Sequence, residues 1–304
     1  MIKFLNLLLI LMLVGCGDSA GTNNDNSSDT VTNHEIDVNS YNGNLKNGTF
    51  YSTTDKSVTY QFTLIEPSKL VVSKNDDSSL SVYDKNMNFI GSNDVDLGSG
   101  EYVAVLEFYT RHSQYDRYIN VISPGLTGFK DFSEIDNRTY ESEKDISMTY
   151  QFALTEPSKI VASKNDDSSL SVYDKEMNFI GSNDVDLSAG EYIVVLRFYT
   201  RFSQYDRYIN IISPSLSSFN DFAELTNKTY ESEKDISMTY QFALTESSKI
   251  VASKNDDSSL SVYDKEMNFI GSNDVSLDAG EYIAVLRLYT RFSQYDRYIS
   301  LNGL

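Results

Sequence analysis

Alternation of apolar and polar positions dominates the chain. Met148, Tyr150, Phe152 and Leu154 alternate with Ser147, Thr149, Gln151 and Ala153. This period of two places one set of side chains on each face of a strand. Short apolar segments follow at Lys159-Ile160-Val161-Ala162 and Leu170-Ser171-Val172-Tyr173. A turn through Asp174-Lys175-Glu176 then leads to Phe179-Ile180. Gly190 precedes a long run, Glu191 to Phe198, in which Tyr192, Val194, Leu196 and Phe198 share one face, and a last strand spans Tyr205 to Ile212. Short strands separated by Asn, Asp, Ser and Gly predict an antiparallel sandwich. A single helical turn near Phe219 to Glu224 is the only helix expected.

The same pattern occurs three times. Tyr60-Gln61-Phe62 returns as Tyr150-Gln151-Phe152 and Tyr240-Gln241-Phe242, a spacing of 90 residues with no insertion. The second and third copies are near duplicates: Glu141 to Glu156 is identical to Glu231 to Glu246. A unit of this length exceeds a solenoid repeat and can enclose its own core. The expected fold class is therefore all-β, with three tandem antiparallel, jelly-roll-like sandwiches at residues 39–126, 127–216 and 217–304. Segments Ile122 to Asp131 and Ile212 to Asp221, each carrying a Ser-Pro pair, mark the joints. Their shortness lets neighbouring sandwiches touch and stiffen the array.

The amino terminus has a different pattern. Lys3 opens it, and Phe4 to Val14 form a nearly unbroken apolar run of eleven residues. That is too short to span a bilayer as a helix but suits the core of a signal peptide. The run ends in Leu13-Val14-Gly15-Cys16. This ending resembles the lipobox of bacterial lipoproteins, in which the cysteine sulfur receives a diacylglycerol and the bond before it is cut. The resemblance implies residues 1–16 as signal and lipidation site, Cys16 as the lipidated residue, and a membrane reached through that lipid. Gly17 rather than Asp follows Cys16, so the resemblance implies an outer-membrane or cell-surface location. Residues 17–38 are rich in Gly, Asn, Ser, Asp and Thr; they have too little apolar surface to offset chain entropy and read as a tether.

Composition narrows the chemistry. The formal net charge of −19 argues against a nucleic-acid partner, whose phosphates require clustered Lys and Arg. It argues equally against docking on anionic headgroups. One Cys excludes an intramolecular disulfide and a multi-cysteine metal cluster. The two histidines are His34, in the tether, and His112, replaced by Phe202 and Phe292 in the other copies. No nucleophile or orienting acid accompanies His112 as a base, so the chain reads as non-catalytic.

Two features could hold a ligand. The Asp-rich turns carry hard oxygen donors at Asp76, Asp77 and Asp94, at Asp166, Asp167 and Asp184, and at Asp256, Asp257 and Asp274. Calcium, the one candidate cofactor, needs 6–8 oxygens, so two such turns must converge to hold it. The spacing matches no EF-hand. The second feature runs from Tyr199 to Tyr208, where Tyr199, Arg201, Tyr205, Arg207 and Tyr208 could contact a surface glycan or a protein. A structural role competes with it, in which Tyr205, Ile209 and Ile211 fill the core and Arg207 pairs with a nearby Asp. Arg197 and Arg287 correspond to Glu107 in the first copy, so a site using that side chain differs there. Asn47-Gly48-Thr49 and Asn137-Arg138-Thr139 match glycosylation sequons but read as chance in an Asn-rich bacterial chain.

Each copy also resembles the bacterial pre-peptidase C-terminal domain, a jelly-roll-like sandwich appended to secreted peptidases. The residues that carry the likeness are Thr149 to Leu154, Ser169 to Asp174, Leu187 to Tyr192 and Tyr205 to Ile211. The resemblance implies an accessory or binding role and no activity of its own. Ser169 and Ser171 stand where that family commonly has Asp, and no peptidase domain accompanies the repeats. The expected function is a lipid-anchored stalk or adhesive array, with a calcium-dependent carbohydrate- or protein-binding lipoprotein as the alternative.

Overall fold

A computed structural model describes residues 41–109, 117–199, 207–256, 258–289 and 297–304. It is all-β, and the only helical turns among these residues are 3-10 turns at Phe129–Asp131 and Phe219–Asp221. The second of these falls where a turn is expected from the sequence. The first sandwich comprises β1 Gly48–Ser52, β2 Lys56–Leu64, β3 Ser68–Lys74, β4 Ser78–Asp84, β5 Phe89–Ser92, β6 Val95–Leu97, β7 Gly100–Phe108 and β8 Arg117–Ile122. The second adds a short β9 Ser133–Glu134, then β10 Arg138–Ser142, β11 Ile146–Leu154, β12 Ser158–Lys164, β13 Ser168–Asp174, β14 Phe179–Ser182, β15 Val185–Leu187, β16 Gly190–Phe198 and β17 Arg207–Ile212. The third repeats this with β18 Ala223–Glu224, β19 Thr229–Ser232, β20 Ile236–Leu244, β21 Ser248–Lys254, β22 Ser258–Tyr263, β23 Phe269–Ser272, β24 Val275–Leu277, β25 Gly280–Leu288 and β26 Arg297–Asn302.

Every copy has two sheets. One, here the return sheet, has the order β1-β8-β3-β6, repeated as β10-β17-β12-β15 and β19-β26-β21-β24. The other, the front sheet, has the order β2-β7-β4-β5, repeated as β14-β13-β16-β11-β9 and β18-β20-β25-β22-β23. Pairing is antiparallel except where β9 and β18 lie parallel to β11 and β20. Each sandwich encloses its own core. In the second, Tyr192, Val194, Leu196 and Phe198 from one face of β16 meet Ile209 and Ile211 from β17. Corresponding residues fill the first and third.

Three strand types are too short or too sparsely buried to be read from alternation alone: the three-residue β15, the two-residue β9, and β10, where Tyr140 alone is buried. They pair correctly because longer partners hold their register, β17 against β10 and β12 against β15.

The sandwiches also pack on one another, and their described residues form one compact unit. Beyond the three cores, two smaller apolar clusters lie between successive copies. The first joins Val71 and Ile122 of the first sandwich to Met177, Ile193 and Val195 of the second, with Phe129, Phe132 and Tyr173 packed against them. The second joins Val161 and Ile212 to Met267, Ile283 and Val285, with Phe219, Phe222 and Tyr263. The outer face of one return sheet thus lies against the outer face of the next front sheet.

Candidate functional site

The Asp-rich turns use their oxygens locally. Asp94 accepts the Val72 amide at 2.8 Å, and Asp184 and Asp274 accept the Ala162 and Ala252 amides at 3.2 and 3.3 Å. Asp77 and Asp167 are buried, and their backbone carbonyls take the Tyr109 and Tyr199 amides. Asp76, Asp166 and Asp256 are exposed, and Asp257 lies outside the described residues. Among the described residues no three His, Cys, Asp or Glu side chains stand together as a metal-binding group. Asp84 and Asp174 instead cap a tight turn, accepting the amides of Asn88 and Asn178. These bonds, led by the Asn88 side chain, hold the Asp84 carboxyl below the ordinary carboxylate range.

The aromatic and Arg stretch divides. Arg201 and Tyr205 lie outside the described residues. Tyr199 is half-buried; its hydroxyl donates to the Asp166 carbonyl at 3.0 Å. Arg207 and Tyr208 are inside, which corrects their assignment as ligand contacts. Arg207 Nη1 reaches Asp145 Oδ1 at 2.7 Å while its Nε donates to the Ser142 carbonyl at 3.0 Å. Both partners of the ion pair are buried, and a pair that lost one member would strand a charge in low dielectric. Tyr208 is fully buried in the joint with the third sandwich. Burial pushes its phenol up, and the Arg287 guanidinium beside it draws it partly back. Tyr118 and Arg197 form the same pairing in the first joint.

These joints are the most elaborated surfaces of the molecule. Asn120 Nδ2 donates to Ser147 Oγ at 3.1 Å and Thr149 Oγ1 at 2.8 Å; Asn210 does the same to Ser237 and Thr239 at 3.2 and 2.7 Å. Thr49 and Thr139 hydroxyls donate to the Ser147 and Ser237 carbonyls, both at 2.9 Å. Arg197 Nη2 donates to the Lys74 carbonyl at 2.7 Å, and Arg287 Nη2 to that of Lys164 at 2.6 Å. Met177 and Met267 adopt left-handed backbone (φ 65° and 64°) and bury their side chains in the joints. A non-glycine residue there costs about 1–2 kcal/mol, offset here by the turns at Asp174 and Asp264, whose carbonyls accept the two Met amides, and by the packing of the thioethers.

The sequon asparagines have a structural task. Asn137 Nδ2 donates to the carbonyls of Ser213, Leu216 and Ser217, and its Oδ1 accepts the Ser213 amide. Asn47 does the same with Ser123, Leu126 and Thr127. Each amide clamps the segment leading out of its own sandwich, so neither is available to carry a glycan.

One exposed feature recurs in all copies. The edge strands β5, β14 and β23 present Phe-Ile pairs with more than a third of each side chain open: Phe89 and Ile90, Phe179 and Ile180, Phe269 and Ile270. Each Phe meets a Tyr edge-on, Tyr83, Tyr173 or Tyr263, with ring centroids 5.6–5.7 Å apart. Alternation alone places these residues on a strand but does not tell that the strand lies at an edge.

His34, His112 and Cys16 lie outside the described residues, and no described helix is long and apolar enough to cross a membrane. No family model matches the chain, and no curated protein matches it in sequence.

Proposed function

We propose that this chain is a bacterial lipoprotein of the cell envelope, anchored through lipid on Cys16, whose three stacked sandwiches act as a non-catalytic stalk that presents repeated contact surfaces. The observation that carries the reading is the placement of the sole cysteine. It ends the only long apolar run in the chain, after Leu13-Val14-Gly15, and a polar stretch follows it. Acyl chains hold a protein at a bilayer by about 0.8 kcal/mol per buried methylene, so two or more chains suffice without a spanning helix. The stacked sandwiches suit a stalk because apolar clusters and buried polar bonds tie each to the next. The recurring Phe-Ile pairs give the binding half its surface: three equal sites on one anchor raise effective concentration, so weak contacts sum.

Metabolic labelling with a palmitate analogue in a bacterial host tests the anchor. The full chain is expected to take up label and partition with membranes, whereas Cys16→Ser is expected to lose both. Equal labelling of the two proteins would overturn the anchoring. A screen of immobilised glycans and envelope proteins against the chain and a Phe89→Ser/Phe179→Ser/Phe269→Ser variant tests the contact surface, which is expected to retain ligand only in the unaltered chain.

A further inference from the structure

Five described arginines are buried or half-buried, and their partners divide them into two kinds. Arg117, Arg207 and Arg297 each face a carboxylate, that of Asp55, Asp145 or Asp235, at 3.3, 2.7 and 3.3 Å. Arg197 and Arg287 enter the joints from the second and third front sheets and form no ion pair with any described residue. Each gives Nη2 to a neutral acceptor, the carbonyl of Lys74 or Lys164, and leans on the ring of Tyr199 or Tyr289. The Nε of each is buried with no hydrogen-bond partner. A guanidinium keeps its charge at any working pH, and a buried charge without a counter-ion is strongly destabilising.

The groups beside these guanidiniums are orphaned too. Tyr118 and Tyr208 are fully buried on the outer faces of β8 and β17, and neither hydroxyl has a partner. Burial works against the Arg287 charge, the Tyr208 phenol beside it works for it, and Asp166 adds least. In the first joint Ser73 lies opposite Asn120 in register, and its hydroxyl and the Asn120 Oδ1 are buried and unpartnered as well. Asn120 Nδ2 is bonded to the Ser147 and Thr149 hydroxyls, which donate as readily as they accept. A half-turn of the amide would keep both bonds and bring Nδ2 to the orphaned position. In the second joint Ser237 donates to the Ser163 hydroxyl at 2.8 Å, which leaves the phenol and the guanidinium. Buried polar atoms are nearly always satisfied, so a group of orphans that recurs at the same place in both joints marks a place for a ligand.

We propose that each joint is a binding site for one small monovalent anion of the halide class, chloride, held between Nε of Arg197 or Arg287 and the hydroxyl of Tyr118 or Tyr208, with the Ser73 hydroxyl as a further donor in the first joint. The groups that meet there are N–H and O–H donors carrying one positive charge, which a halide balances. Water would satisfy the hydroxyls but leave the guanidinium uncompensated. A phosphate or a carboxylate ligand is larger, and fully buried phenols give it no way in. The first front sheet has Glu107 in place of the arginine and so lacks this site. Chloride acts here as a staple between the front sheet of one sandwich and the return sheet of the one before it, so the rigidity of the stack follows halide concentration. The site needs neither the anchor at Cys16 nor the Phe-Ile pairs.

Melting of the full chain tests the site, because an ion bound only by the folded form raises the transition. Exchanging sodium gluconate for sodium chloride at constant ionic strength is expected to raise the midpoint by about 2 °C or more. Tyr118→Phe/Tyr208→Phe, which keeps the rings and removes the hydroxyls, is expected to lose most of that rise, and Arg197→Met/Arg287→Met all of it. Crystals grown in sodium bromide are expected to show one anomalous peak in each joint, within hydrogen-bond reach of the phenol and of Nε. No rise on chloride, an equal rise in the phenylalanine variant, or bromide found at the surface alone, an adventitious ion only, would overturn the site. Density in the joints without an anomalous signal would overturn it as well and identify the occupant as water.

Discussion

The return sheets of the second and third sandwiches share register, strand order and most of their sequence, yet one is interior and the other is surface. Val161 is 2% exposed and its counterpart Val251 is 39% exposed. Tyr208 is fully buried while Tyr298 is half-buried. Ile212 lies inside a joint; Asn302 faces solvent. Since the strands pair alike in both, with Lys254↔Ile299 matching Lys164↔Ile209, the sheet does not need its neighbour to form. The neighbour decides only which of its faces is dry. A sandwich of this type is thus stabilised in two separable layers, its own core and its joint.

The largest expected break in this comparison is to move the end residue inward. Ile212→Asn removes packed methyl groups and buries an amide with no partner, which together cost about 3 kcal/mol or more. Urea unfolding followed by tyrosine fluorescence would register the loss as a lower midpoint or as early release of the third sandwich. Asn302→Ile, the reverse change at the open face, is expected to leave the midpoint within about 0.5 kcal/mol of the unaltered chain. A smaller effect is expected from Asn210→Ala, which strips the shared donor from Ser237 and Thr239. Ser237 keeps its bond to the Ser163 hydroxyl and Thr239 is only half-buried, so the expected cost is about 0.5–1.5 kcal/mol. Ser300→Ala, at the open face, is expected to cost almost nothing in the same unfolding assay.

The joints also predict an alkaline limit. Burial raises the Tyr118 and Tyr208 phenols above their ordinary value of 10.0. Because the folded values are raised, the stability these groups contribute is fully present below pH 10 and is lost as pH climbs through the folded values. Ultraviolet titration is expected to show late-ionising tyrosines, two fewer of them in a Tyr118→Phe/Tyr208→Phe variant. An unchanged titration would mean that the joints open before these phenols ionise.

Much of this was legible in the chain and part was not. Strict alternation in β11 and one face of β16 predicted the sandwich and its core residues. The other face of β16, Ile193, Val195 and Arg197, belongs to the joint. The unbroken run Tyr192-Ile193-Val194-Val195-Leu196 carried that signal, because a strand buried on both faces has no polar alternates. The exchange of Arg197 for Glu107 is visible in the sequence, but without the Lys74 carbonyl it reads as a variable ligand residue. Arg207 and Tyr208 were similarly ambiguous. A guanidinium and a phenol suit a ligand as well as they suit a buried pair, and only the positions of Asp145 and the third sandwich decide between them. The Asp-rich turns are ambiguous for a related reason, since carboxylates that cap turns and carboxylates that bind cations have the same composition and differ only in where they converge.

The smallest change in side-chain shape is the sharpest check on the two-layer view. Valine and threonine have nearly the same shape and both suit strands, so exchanging them tests dryness alone. Val161→Thr places a hydroxyl in the second joint, where Ile212, Ile283 and Val285 offer it no acceptor, and is expected to cost about 1–3 kcal/mol. Val251→Thr places the same hydroxyl in water and is expected to change stability by less than about 0.5 kcal/mol. Urea midpoints of the two variants, measured at several protein concentrations, give the difference directly. Equal losses would mean that Val251 is covered in solution. A loss that grew with concentration would identify the cover as another copy of this chain, and a loss independent of concentration would place it within the chain itself. In either case the third return sheet would be a joint, and dryness would no longer distinguish it from the second.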